Sequence, residues 1–255
     1  MKIVRHFFSI IIILLIIFSV NHTLAQSPEG TIRYIKTSNW TKMMEKVDYI
    51  SKQQRDRNKY VWGTRSEWKQ FKLLHFNATS SKYEDSEEQA EPDMEGWSNR
   101  KETFFMKRDY LSNTLFYAIS LQSKPYQILD SIHPVPWKIL NNMKEVAGHI
   151  CMNASITDTL RQQSIEAWFA LDMPGKAGPD RFYGLPGMIL EVNINNGALI
   201  FSADRIDLKP LTSELDIPKK LKGKKINLAE YERIFAKQIQ EKKADEIPWF
   251  WGLPY

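Results

Sequence analysis

The chain has 255 residues, 43% of them hydrophobic and 25% charged, with a formal charge of +5. So small a positive excess favours solubility and does not have the footprint of a nucleic-acid binder. A single cysteine, Cys151, excludes an internal disulfide, so packing alone must hold the fold.

In chain order, Met1–His6 carries Lys2 and Arg5, Phe7–Val20 is apolar apart from serine, and Thr23-Leu24-Ala25 precedes Gln26. This is the three-part pattern of a secretory signal peptide over 1–25. Its apolar run is shorter than the ~20 residues of a spanning helix, so cleavage is expected. No cysteine follows to take a lipid. The expected mature chain, about 230 residues, is periplasmic or secreted, has no transmembrane span and is long enough for a real core.

Gly30–Ile35 alternates and reads as a strand. Trp40, Met43, Met44, Val47 and Ile50 then form one stripe at helical spacing, predicting a helix over 39–57. Phe71–Phe76 reads as the next strand. Residues 84–99 form an expected acidic loop, with seven acids between Glu84 and Glu95 but no calcium-loop order. Three short β-rich runs fill Thr103–Ser131 with meander spacing, and "WKILNNMKEVAGHICMNASI" holds one or two more. There Ile150, Met152, Ala154 and Ile156 share one face. Ala167–Leu171 is another strand. After the basic linker Lys219–Lys225, Asn227 and Glu230 predict a capping box ahead of the stripe Leu228, Tyr231, Phe235 and Ile239, a helix of about four turns. The aromatic end "PWFWGLPY" either docks or waits for a partner.

The most punctuated stretch is Asp180–Ile206. Leu185-Pro186-Gly187-Met188 fits a type II turn with Gly187 at the position needing positive φ. Asn196-Gly197 predicts a two-residue type I′ hairpin. That register sets Ile194 against Leu199, Val192 against Phe201 and Leu190 against Ala203. Ile189, Glu191, Asn193, Ile200, Ser202 and Asp204 take the other face. A strand, not a helix, follows the glycines, so a phosphate cradle is not supported.

The same residues carry a family resemblance. "GPDRFYGLPGMILEV" resembles the signature of the GLPGLI family, exported proteins of Bacteroidota-type bacteria, and "YQILD", "VAGHICMNA" and "EAWFALDMP" stand in the family's order. Met188 replaces the usual leucine and Phe169 the usual tyrosine. The resemblance implies mainly antiparallel sheet; the family's activity is not established, so no catalytic residues come with it.

Chemistry has weak candidates. His149 and Cys151 share a strand face with Asn153, the residue types of a Cys-His nucleophile. However, i and i+2 side chains stand roughly 7 Å apart, so a buried structural cysteine is the expectation. His75, His133 and His149 match no zinc spacing, so no metal or other cofactor is expected. Asp172 and Asp180 occupy turn positions that suit aspartate.

The expected fold is mainly β (α+β), a curved antiparallel sheet or half-barrel with an N-terminal-half helix and a C-terminal helix packed on it. The β domain spans 26–218, and 219–255 is linker, helix and tail. The pattern resembles lipoprotein-carrier folds. The leading expectation is therefore a non-enzymatic binding or carrier module for an apolar or amphipathic ligand or a peptide. Trp137, Trp168, Tyr183 and Leu185 are its candidate contacts. The alternatives are an accessory protein docking on an outer-membrane complex through its tail, and a Cys-His or metal-dependent hydrolase.

Overall fold

The structure, a computed structural model, describes residues 28–62, 66–90 and 104–255. The expected signal peptide and residues 91–99 of the acidic loop lie outside them. The described residues are mostly β: one open, curved, twelve-stranded sheet with three helices. Strand β1 (Gly30–Asn39) lies in its middle. To one side run β2 (Glu67–Phe76), β3 (Ser80–Asp85), β4 (Phe105–Asp109), β5 (Thr114–Leu121) and β6 (Lys124–Ser131), an antiparallel meander. To the other side lie, in spatial order, β11 (Leu199–Leu208), β10 (Met188–Ile194), β9 (Gln163–Ala170), β8 (His149–Asp158) and β7 (Lys138–Val146).

Residues directly opposite in antiparallel strands share a face. Ile128, Tyr117, Met106, Tyr83, Leu74 and Ile32 stand opposite one another in turn and form a buried row across one wing. Ala154, Ala167, Val192 and Phe201 form its counterpart on the other wing. Helix α3 (Leu228–Ala244) covers this inner face, with Tyr231 packed edge-on against Tyr117 at 5.6 Å. The segment 171–187 covers it from the other wing, with Phe182 6.3 Å from Phe201. The tail completes the cover: Trp249, Phe250, Leu253 and Tyr255 are all buried. The tail therefore docks on its own domain, leaving only Trp251 of its aromatic rings 40% exposed.

Several boundaries depart from the sequence reading. The stripe Met43, Met44, Val47 and Ile50 is buried as expected, but it does not lie on one helix. Helix α1 (Trp40–Glu45) is capped by Asn39, which accepts from the Lys42 amide at 3.0 Å. The chain then breaks, and α2 (Lys52–Trp62) starts afresh. Ser51 and Gln54 form a reciprocal capping box there, Ser51 Oγ accepting from Gln54 N and Gln54 Oε1 from Ser51 N. In the acidic region, Glu84 and Asp85 belong to β3, where Lys82 and Lys72 pair with them. The basic linker ends in β12 (Lys224–Ile226), which pairs parallel with β6. Asn227 caps α3 through the Glu230 amide, but the Glu230 carboxylate turns to Lys224 at 2.8 Å, so only half of the predicted capping box forms.

The hairpin register is as expected, with Ile194 opposite Leu199 and Val192 opposite Phe201. The turn differs. Asn195, Asn196 and Gly197 all adopt positive φ, and Ala198 N bonds Ile194 O, making a four-residue loop. Asn195 is thereby freed to bridge Ser164 and, at 2.7 Å, the Tyr255 hydroxyl. A bulge at Leu190 lets Ile189 and Leu190 both be buried, so Ile189 leaves the polar face assigned to it. Pro186-Gly187 is not a type II turn. Positive φ falls on Gly184, not Gly187. Gly187 is required by proximity instead: a Cβ there would stand 2.1 Å from the Ala170 carbonyl oxygen.

Candidate functional site

The nucleophile candidate fails on geometry. Cys151 is fully buried, and its Sγ approaches the His149 backbone carbonyl at 3.5 Å, not the imidazole. The His149 ring turns away to Asp172 at 2.8 Å. Burial, and then the Asp172 charge, push the Cys151 thiol up to about 11, so it stays protonated at neutral pH. Asn153 is occupied by Glu166 at 2.8 Å and by the Asn142 amide. Native protein at pH 8 is expected to react with DTNB at under about a hundredth of the rate of the unfolded chain. Rapid labelling of the folded protein would contradict this placement.

The other histidines are engaged separately. His75 bonds Thr31 at 2.8 Å and faces Glu84, and His133 lies 3.6 Å from Asp130. Among the described residues no three His, Cys, Asp or Glu side chains converge as a metal site would need.

The four candidate contacts do not form one site. Trp168 lies opposite Asn153 and Glu191, on the face away from Phe169, and is capped by Lys144 Nζ at 4.3 Å. Leu185 is buried in the core at 1% exposure. Trp137 and Tyr183 do come together, the indole Nε1 donating to the Tyr183 carbonyl at 2.8 Å. The Tyr183 hydroxyl in turn donates to the His133 carbonyl.

Tyr183 borders a cleft of about 240 Å³ between β4, β5, the 133–136 loop and the first turn of α3. Its walls are Leu115, Tyr117, Tyr231, Pro134 and Pro254. Three arginines join them, and sequence reasoning singled out none. Arg108 reaches across from β4 to the Asp180 backbone carbonyl at 2.9 Å and lies 4.3 Å under the Tyr183 ring. Arg161 pairs with Asp158 at 2.9 Å and stacks over Phe235 at 4.2 Å. Arg181 donates to Gln163 at 2.5 Å and to the Tyr255 carbonyl at 3.3 Å. Burial lowers the pKa of Arg108 and of Arg181, the latter with help from Arg161. One signal was available: Arg108 sits two residues from Met106 on a strand, a charge in a core-facing register.

A further cation lies on the inner face. Lys36 is opposite Phe201, its ammonium 5.9 Å from that ring, and Asp180 and Asp85 act on it only at a distance. Burial, then Lys72, push its pKa down to about 8. The folded state thus disfavours the charged amine below pH 8, and the penalty fades as pH rises towards the unfolded value near 10.4. Lys36→Met is therefore expected to gain about 1–3 kcal/mol at pH 7 in urea denaturation, and nothing by pH 10.5. A gain that does not shrink with pH would contradict it.

Among the described residues no helix is long and apolar enough to cross a membrane. A family model described as "Protein of unknown function (Porph_ging)" matches residues 157–191, from the end of β8 through β9 and the 171–187 segment into β10. The chain matches no curated protein. Among solved structures it is similar to PNGF-II in two crystal forms. In the P21 form the TM-score is 0.54 at 12% identity, covering 81% of this chain and 33% of that one. In the C2 form the values are 0.53, 11%, 81% and 32%. The chain thus spans about a third of the length of PNGF-II, and the likeness is one of fold.

Proposed function

We propose that the chain is a non-enzymatic binding module, exported to the periplasm or beyond, that holds an amphipathic ligand or a peptide segment at the inner face of its sheet. The observation that carries this reading is the cleft beside Tyr183. Its tyrosine, leucine and proline walls meet buried guanidinium groups, a mixed surface suited to a ligand with an apolar body and a polar end. Elsewhere α3, the 171–187 segment and the tail cover the inner face, which directs a ligand to this opening. The signal-peptide pattern supports the location. Native mass spectrometry of protein purified from its own cell envelope tests the reading: a bound species should accompany the intact chain and be lost in Tyr117→Ala. Protein that carries nothing under conditions preserving weak complexes overturns it.

A second reading, docking on an outer-membrane partner, draws support away from the tail. Ile139, Met143 and Ile150 stand 51–63% exposed on β7 and β8, at the sheet edge. Cross-linking from β7 to a defined envelope protein would favour this reading.

A further inference from the structure

Arg108 is 1% exposed and lies on β4 facing the cleft. A guanidinium carries five N–H donors and cannot give up its charge in a protein. The two on Nη2 are met by Met106 Sδ at 2.7 Å and the Asp180 carbonyl at 2.9 Å. Among the described residues Nε and Nη1 have no partner, leaving three donors unmet. Leaving buried donors unmet on a charged group is costly, because each has given up its hydrogen bonds to water without replacement. Among the described residues no carboxylate pairs directly with Arg108, and the Asp180 charge acts on it only at a distance. Asp180 offers it a backbone carbonyl, Glu232 lies exposed on α3, and Asp158 is held by Arg161 with Arg181 at 3.8 Å. Arg161 adds one more unpartnered buried donor, its Nε. The Tyr183 ring covers the Arg108 guanidinium; its hydroxyl is tied to the His133 carbonyl, while Trp137 holds the Tyr183 backbone carbonyl.

We propose that this end of the cleft is an oxyanion site, in which Arg108 receives a carboxylate or phosphate group when Tyr183 gives way. The anion satisfies the free donors of Arg108, and the guanidinium of Arg181 adds to the field that holds it. A cleft of about 240 Å³ suits a small anion or the acidic head of an amphiphile, below the ~300 Å³ at which drug-sized pockets begin. The site rests on the binding reading above and names the polar end of its ligand.

Thermal unfolding of wild type and Arg108→Met, with inorganic phosphate, octanoate or octanol at constant ionic strength, tests it. The expected result is stabilisation of wild type by phosphate and octanoate, binding weakened about ten-fold or more in Arg108→Met, and no such dependence for octanol. A response to octanoate alone supports the site as a receptor for the head of an amphiphile; a response to phosphate as well supports free anions. Equal shifts in the two proteins overturn it, since stabilisation by excluded phosphate acts on both alike. Because Arg108 is buried and uncompensated, ligand-free Arg108→Met is expected to melt no lower than wild type. If that variant does not fold, Arg108→Lys serves: a weakened but measurable phosphate shift supports the site, and an unchanged one overturns it. Failure here with a ligand still seen by native mass spectrometry removes the oxyanion site and leaves the binding module standing. An Arg108-dependent shift without any co-purified species does the reverse.

Discussion

Deletion of residues 247–255 is expected to abolish cooperative unfolding and to leave a chain that binds hydrophobic dyes. Trp249, Phe250, Leu253 and Tyr255 are each at most 8% exposed, and Trp249 stacks on Tyr255 at 5.4 Å while meeting Phe235 of α3 edge-on. At about 2 kcal/mol for each buried aromatic or leucine, four such anchors rival the 5–15 kcal/mol of net stability typical of a domain. Polar ties add to this. Tyr49 Oη joins the Ile247 carbonyl and the Trp249 amide at 3.0 and 2.8 Å, and Asn195 holds the Tyr255 hydroxyl. Differential scanning calorimetry of the truncated and full chains measures the effect. A truncated protein that melts cooperatively within a few degrees of the full chain would show the tail to be an accessory rather than part of the core.

Gly187→Ala is expected to be among the most damaging glycine-to-alanine changes at the described positions. The added carbon would stand 2.1 Å from the Ala170 oxygen and 2.9 Å from its carbonyl carbon, both backbone atoms of β9 that no rotamer change can move. A loss of about 3 kcal/mol or more is expected in urea denaturation. Gly184→Ala is the informative companion. Its φ is +88° but the space around it is open, so the cost is conformational strain alone, about 1 kcal/mol. If the two substitutions cost the same, close approach is not what position 187 demands.

These two glycines also show how far sequence reasoning reached. Pro-Gly announced a bend, and a bend is there, yet the chain could meet that demand by placing positive φ three residues earlier. What fixed Gly187 was a neighbour, Ala170, that no local pattern identifies. The same holds elsewhere. Alternation located most strands and the inner apolar rows, because period and burial are local properties of the chain. It missed β3, whose "SSKY" buries two serines and a lysine through pairing with β2 and β4. It also ran α1 and α2 together, although Ser51-x-x-Gln54 carried a legible start signal. The cleft was the least legible feature. Arg108, Arg161 and Arg181 belong to β4, the β8–β9 turn and the 171–187 segment, and only the curvature of the sheet brings them within one opening.

The position of β1 has a consequence for how the chain reaches this state. Its partner β2 follows soon after it, but Ser38 must wait for Leu199 and Gly30 for Leu208. Each wing is a run of hairpins, able to zip locally in about 1–10 μs per hairpin. Joining β1 to β11 closes a loop over most of the chain and belongs to the slow, high-contact-order class of events. During synthesis the first wing is therefore complete while the far side of its first strand is still a bare ladder of amides and carbonyls. That interval, which ends when β11 arrives, is when this protein is most open to pairing with a second copy of itself.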